Sequence, residues 1–535
     1  MKSRMVNIGG KEIAVPVTLA DRVVNYFNPE AGAARFQARA RMAISGGYTS
    51  ADKSRRANQS GRRRETDADG AILPDLQTLR EDSQHLIRNS PLACGAVRTN
   101  VTKVVGRGLQ AKSQIDRALL GLSDAAADAW ELAAEREWKL ATESREIDLE
   151  RQLTFAQLQA LAFLKVLEDG DLFVNLPRLK RPGSPYGLKL QLIEAARICN
   201  PDSKPDGNSL FSGVEKDAGG APVAYHVCNR HPASLRRLIN RDPLTWTKLP
   251  AFGKATGAPL VLHLLDKTRP GQTRGVPYLA PVIELIKQLG RYTDAEVMAA
   301  VVSGMMTVFV HSETGDAVVG TPTEDADPYD TTGMELGHGA VIGLRPDTKI
   351  ESFNPNRPNT AFDPFIQAVL RQIGVALELP FEILIKHFTS SYSAARAALL
   401  EAWSYFHRRR AWLVTSLCQP VYEAIITEAV ATGRLAAPGY FADPLIKKAW
   451  LGTLWIGDAP GQIDPLKEAN AANVRLNVLR ITTHDEECAA YNGSDWEQKW
   501  PRILANHQAL TDAGMAAGST PTAPGVGDAD ESEEA

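Results

Sequence analysis

KHFTSSYSAARAALLEAWSYFHRRR, residues 386–410, is the stretch on which the fold turns. Its opening is polar: Lys386, His387, Thr389, Ser390, Ser391 and Tyr392 run together with only Phe388 among them, and Pro380 closes the chain upstream. From Ser393 the composition changes to alanine, leucine and aromatics at helical spacing, which predicts one helix to about Thr432. At 1.5 Å per residue that is a rod of roughly 55–60 Å, with Pro420 as its candidate bend. A long helix entered from an exposed Ser/Thr/Tyr loop suits a machine part better than a pocket for a small substrate.

Working upstream, two further helices precede the loop. Pro281–Met306 carries Val282, Ile286, Leu289 and Tyr292, then Ala295, Ala299 and Val302, on one apolar face. Residues 312–357 are rich in Gly, Pro, Asp and Thr and read as small strands and turns. Asp363 as N-cap and Pro364 at the first helical position open the second helix, whose face is Ile366, Val369, Ile373 and Leu377, and Pro380 ends it. Two rods that leave a body, carry a small module at the tip and return would produce this order.

Nearer the N-terminus, helical periodicity begins at Pro74 with Leu76, Leu79, Leu86 and Ile87. Pro91 opens a second helix that Gly106 and Gly108 stop, and others follow at about 124–143 and 154–168. Residues 171–266 then give short apolar runs between Pro and Gly, read as strands: Leu172–Leu176, Leu188–Ile193, Val223–Val227 and Leu260–Leu264. The fold class is α+β, mainly helical.

The 535 residues allow about two to four domains, and 44% hydrophobic with 23% charged residues is an ordinary core-forming composition. A formal charge of −3 makes any nucleic-acid contact local. Between about 30 and 64, nine cations from Arg35 to Arg64 sit among Gly, Ser and Ala, either a basic arm for nucleic acid or acidic partners or a solvated linker. The tail from Ala516, ending DADESEEA, reads as disordered. Cys94, Cys199, Cys228, Cys418 and Cys488 form neither a CxxC nor an even disulfide set, which fits synthesis in a reducing interior. Val297–Val310 lacks charge but is too short for a membrane span, and Lys11 and Glu12 interrupt the only early apolar stretch, so neither membrane nor signal peptide is expected.

Catalytic patterns fail. Gly253-Lys254 lacks the rest of a phosphate-binding loop, His311-Ser-Glu313 has no cysteine pair downstream, and there is no GxSxG elbow or HExxH. No cofactor or metal is expected. His407 and Arg410 followed by Tyr440 imitate a tyrosine recombinase, in which Arg and His donors surround a phosphate attacked by tyrosine. Both donors lie inside one helix, so a basic helix face is the simpler reading. Trp403, Tyr405, Phe406 and Trp412 at helical spacing read as core or subunit interface rather than base-stacking groups.

An ordered series of segments resembles lambda-type phage portal proteins. The series is LREDSQHLIRNSPLACGAVRTNVTKVVGRGL (79–109), TFAQLQALAFLKVLEDGDLFV (154–174), IEAARICNP (193–201), GVEKDAGGAPVAYHV (213–227), GQTRGVPYLAPVIELIKQL (271–289), SYSAARAALLEAWSYFHRRR (391–410) and WIGDAPGQIDPLKEANA (455–471). The resemblance implies a non-enzymatic ring homo-oligomer, typically a dodecamer, at one capsid vertex of the virion, with long helices around a central channel. Double-stranded DNA would pass through it, and the terminase large subunit, head-completion and tail connector proteins, and major capsid and scaffold proteins would be its partners. It would be assembled in the host cytoplasm.

Laid on this sequence, the resemblance implies a disordered basic arm (1–70), an α+β wing (71–280), a stem helix (281–307) and a clip (308–358). A second stem helix (359–379), a tunnel loop (380–392), the long helix (393–433), a wing and crown region (434–510) and a disordered acidic tail (511–535) would follow. The DNA-facing residues would be Lys386, His387, Thr389, Ser390, Ser391 and Tyr392. At the subunit contact, Val297–Val310 and the aromatic face of the long helix would be buried.

Overall fold

A computed structural model describes residues 2–8, 11–17, 26, 29, 65–207, 209–234, 243–305, 309–311, 342–344, 362–387, 392–460 and 465–513. The chain divides into two units, Met1–Asp67 and Ala68–Ala535. In the first, β1 (Lys2–Ile8) pairs antiparallel with β2 (Lys11–Val17), Lys2 opposite Val17 and Ile8 opposite Lys11. A disordered arm over all of 1–70 is therefore corrected: alternating KSRMVNI and KEIAVPV flank Gly9-Gly10, a hairpin signal. Residues 30–64 lie outside the described set.

The second unit begins with α1 (Ala68–Asn89), a turn and a half ahead of Pro74. Its first turn is anchored from outside, because Asp69 accepts the Thr273 N–H at 2.7 Å. Then follow α2 (Pro91–Val104), β3 (Gln110–Ser113), α3 (Arg117–Leu120), α4 (Asp124–Thr142) and α5 (Phe155–Asp169). Ser90 caps α2 with Pro91 in its first turn, and Thr154 and Gln157 form a capping box on α5.

Next come β4 (Asp171–Asn175), β5 (Gln191–Glu194), β6 (Leu210–Phe211), β7 (Val214–Lys216), β8 (Pro222–Cys228), β9 (Trp246–Pro250) and β10 (Val261–Leu265). They form two antiparallel sheets, ordered β10-β4-β5 and β6-β7-β8-β9. Strand β4 is buried on both sides. Leu172 and Val174 join the main core, while Phe173 joins a second cluster with Ile193, Val214, Tyr225 and Val261. That alternation places the four-stranded sheet on one side and the helices on the other.

After β10 the chain enters α6 (Ile283–Met305), β11 (Phe309–His311), β12 (Ile342–Leu344) and α7 (Phe362–Ala376). Strands β11 and β12 pair in parallel; the rest of 306–361 lies outside the described residues. Helices α6 and α7 run antiparallel. Ile283 and Ile286 near the start of α6 and Ile373 near the end of α7 are in the core, and Tyr292 stacks on Phe362 with centroids 5.7 Å apart. That stacking pulls Phe362 into the helix one residue ahead of the expected Asp363 cap.

Helix α8 (Phe381–Ile385) occupies what the sequence reads as loop, because Ile383 and Leu384 are buried. The helical rod runs through α9 (Tyr392–Leu413), a π-turn (Val414–Cys418) and α10 (Gln419–Ala431). Pro420 has no N–H for the carbonyl four residues back, and the wider turn just ahead of it absorbs the gap. The chain ends with α11 (Pro444–Trp450), β13 (Thr453–Ile456) paired antiparallel with β3, α12 (Pro465–Asn473) with its π-turn (Val474–Leu479), α13 (His484–Asn492) and α14 (Trp496–Asp512).

Candidate functional site

Of the loop residues singled out in the sequence, Lys386 and His387 are placed and exposed. Lys386 ends α8 in the left-handed region (φ 56°), a conformation that costs a non-glycine residue about 1–2 kcal/mol. The His387 N–H donates to the Glu382 carbonyl at 3.1 Å, so both cations stand on a hydrogen-bonded turn over buried Ile383 and Leu384. Thr389, Ser390 and Ser391 lie outside the described residues, and Tyr392 opens α9. Sequence reasoning passed over Arg396, an exposed cation one turn into α9. Its only signal was its i+4 spacing from Tyr392.

The long helix behind the loop is fixed by its arginines. Arg409 pairs with Asp266 next to β10, and Arg410 donates to Val104 O (3.1 Å), Lys103 O (3.1 Å) and Asp458 O (2.9 Å). The first two carbonyls belong to the last turn of α2, where helix groups have no partner of their own. A cation there also complements the helix dipole. Gly457 leaves room beside it, since a Cβ at that position would lie 2.6 Å from the Arg410 guanidinium carbon and displace it. Asp458 in turn accepts from Arg107 N (3.1 Å) and Nε (2.9 Å).

A second joint is centred on Asp171, which is fully buried. Arg274 reaches it through Nε (2.7 Å) and a terminal nitrogen (3.2 Å), Arg80 at 2.7 Å, His263 Nε2 at 3.2 Å and the Gly275 N–H at 3.1 Å. Arg274 also donates to Ile198 O (2.8 Å), Ser212 O (2.7 Å) and Ala195 O (2.7 Å). Although burial opposes ionisation, Arg274 and Arg80 hold the Asp171 carboxyl well below its usual range. Burial pushes the His263 imidazole down against the pull of Asp171, while Arg80, mainly through burial, falls to about 10. Six of the seven segments of the sequence series thus contribute residues to one or other of two joints. Neither has the open, substrate-facing geometry of an active site.

The recombinase constellation does not form. Tyr440 is 2% exposed, with its hydroxyl 2.8 Å from Thr427 Oγ1, and burial raises its pKa to about 12. Arg410 is committed to three backbone carbonyls. The aromatic face is corrected as a subunit contact too: Trp403, Tyr405 and Phe406 are buried within the chain itself. By contrast, Val297 (59%), Met298 (63%) and Val301 (44%) on α6 are exposed. Among the described residues, no helix is long and apolar enough to cross a membrane, and no His/Cys/Asp/Glu group could hold a metal ion.

Residues 54–410 match the family model described as phage portal protein, lambda family. Portal protein B of Escherichia phage lambda is 25% identical over 481 residues, 85% of this chain and 87% of that protein. The portal protein of Escherichia phage N15 is 24% identical over 471 residues, covering 84% and 87%. Among solved structures, a chain from the virion of a native gene transfer agent particle is 12% identical, covers 78% of this chain and 94% of its own, and superposes with a TM-score of 0.37. One from the neck of a native gene transfer agent particle computed with C12 symmetry is 11% identical at 0.36, with the same coverage.

Proposed function

The chain belongs to the lambda family of phage portal proteins, and on that premise we propose that its copies close head-to-tail into a ring of about twelve whose axial channel conducts double-stranded DNA. The channel admits DNA during packaging, joins head to tail and releases DNA on ejection. The ring sits at one capsid vertex and catalyses no bond chemistry of its own. Terminase large subunit and then head-completion and tail connector proteins dock on the clip, residues 308–358, while major capsid and scaffold proteins surround the ring. Assembly takes place in the host cytoplasm.

The observation that carries this reading is the antiparallel α6–α7 pair. Its root is in the core, whereas Val297, Met298 and Val301 on α6, with Phe365 and Val375 on α7, are exposed among the described residues. Apolar helix faces this exposed call for another surface. A closed ring supplies one, because each subunit then shows two different complementary faces.

The loop fits weak contact with a moving duplex. Many Lys/Arg contacts to phosphate would bind DNA tightly and with strong salt dependence. Lys386, His387 and the neighbouring Arg396 are few cations per subunit, and they offer no base-reading geometry. Lys386→Ala with His387→Ala should leave ring assembly unchanged and lower DNA packaging into proheads. Normal packaging by the double variant removes the loop from the mechanism.

A further inference from the structure

The C-terminal module, α12 to α14, has none of its described helical side chains in the protein core. Its ties to the body are polar. Lys112 on β3 faces Asp485, Asp495 and Glu497 at 3.4–3.6 Å, and Lys139 on α4 donates to Gln498 at 3.2 Å. Yet α14 is amphipathic. Trp496, Trp500, Ile503, Leu504 and Leu510 fall within one stripe of about 120° at 100° per residue. From Trp500 (48% exposed) through Leu504 (54%) to Leu510 (48%) that stripe faces solvent. Helix α14 lies against α13, where Trp496 stacks on His484 with centroids 4.8 Å apart, so the exposed Trp500–Leu510 part of the stripe is what remains for another surface.

The chain carries a surface of matching character. Helix α3 lies against α11, and Leu119 (42%), Phe441 (66%) and Leu445 (58%) are exposed on these elements and the turn before α11. Lys447 and Lys448 stand beside them. The module itself is acidic, with seven carboxylates against five cations between Pro465 and Asp512. Its charge therefore disfavours DNA as the occupant and favours a cation-edged apolar face.

We propose that the α14 stripe of one copy packs on the Leu119–Phe441–Leu445 face of the next copy, with Lys447 and Lys448 meeting the acidic module. The contact is heterologous, two different patches of one polypeptide, as a closed ring demands. It rests on the ring reading above and adds the identity of one ring-closing surface.

The test uses the purified full chain and two double variants, Trp500→Glu with Leu504→Glu and Leu119→Glu with Leu445→Glu. All four positions are exposed, so thermal unfolding of the monomer should be unchanged. Each variant alone should assemble only at a concentration at least about tenfold above wild type. Mixed one to one, the two should form heterodimers, since one keeps an intact stripe and the other an intact face. Rings that survive either pair of changes overturn the proposal, as does a mixture that stays monomeric. Rings of the α14 variant that form normally but fail to enter proheads overturn it in favour of a capsid partner. A wild-type chain that never assembles sinks the ring reading itself, and this contact with it.

Discussion

Replacing Arg274 by methionine tests whether the Asp171 joint holds α1, β4, β10 and the segments around residues 195–212 together. Arg274 has no exposed side-chain surface and makes two contacts to Asp171 and three to carbonyls. Removing one member of a buried ion pair costs about 3–5 kcal/mol, and each buried carbonyl left unpaired adds up to about 1–3 kcal/mol. Asp171 still keeps Arg80, His263 and the Gly275 N–H. The full sum is therefore not expected, and Arg274→Met should lower unfolding free energy by about 3–5 kcal/mol. Guanidinium unfolding of the monomer, followed by tryptophan fluorescence, measures it. Asp171→Asn should cost a similar amount, and the double variant should cost about 1–3 kcal/mol less than the sum of the two.

The pH dependence has a fixed sign. Asp171 has a depressed folded pKa, so its contribution is fully present above the unfolded value of about 3.9 and is lost as pH falls from there through the folded value. The gap between wild type and Asp171→Asn should be flat from pH 8 to 5 and close below about pH 4. A loss under about 1 kcal/mol for Arg274→Met, or strict additivity in the double variant, refutes the joint as a stabilising unit.

At the other joint, Gly457→Ala should expel the Arg410 guanidinium from its three carbonyls and cost about 2–4 kcal/mol by thermal unfolding. Arg410→Lys should fail to restore it, because one ammonium cannot span carbonyls of Lys103, Val104 and Asp458. Lys112→Ala should loosen the C-terminal module without moving the main unfolding transition, since the three carboxylates that raise the Lys112 pKa are its counter-ions there. Limited proteolysis between residues 457 and 484 should accelerate several-fold, and about 0.5 M salt should mimic the change in wild type.

Periodicity carried the long elements. The apolar spacing of α4, α5 and α9 marks helices because each packs one stripe on the core, as the root of α6 does, and the aromatics of α9 follow the same rule. Short elements were less legible. Helix α8 is a single buried turn after a proline, and the hairpin β1–β2 depends on a Gly-Gly signal within an arm dominated by arginine. The joints could not be read from spacing at all. Arg410 meets Val104 across 306 residues and Arg274 meets Asp171 across 103, so no local pattern announces either. In sequence they showed only as segments shared with a family, lacking any catalytic signature. Of the stretch read as a loop, Phe381–Ile385 is helical and Lys386 and His387 are exposed, while Thr389, Ser390 and Ser391 lie outside the described residues.

Electron microscopy of the purified chain, at concentrations spanning monomer to assembly, measures the channel directly. The account predicts closed rings with a hole wide enough for a duplex, about 20 Å or more across given the groove dimensions of DNA. Particles that remain single chains at every concentration, or that assemble with no axial opening, would contradict it.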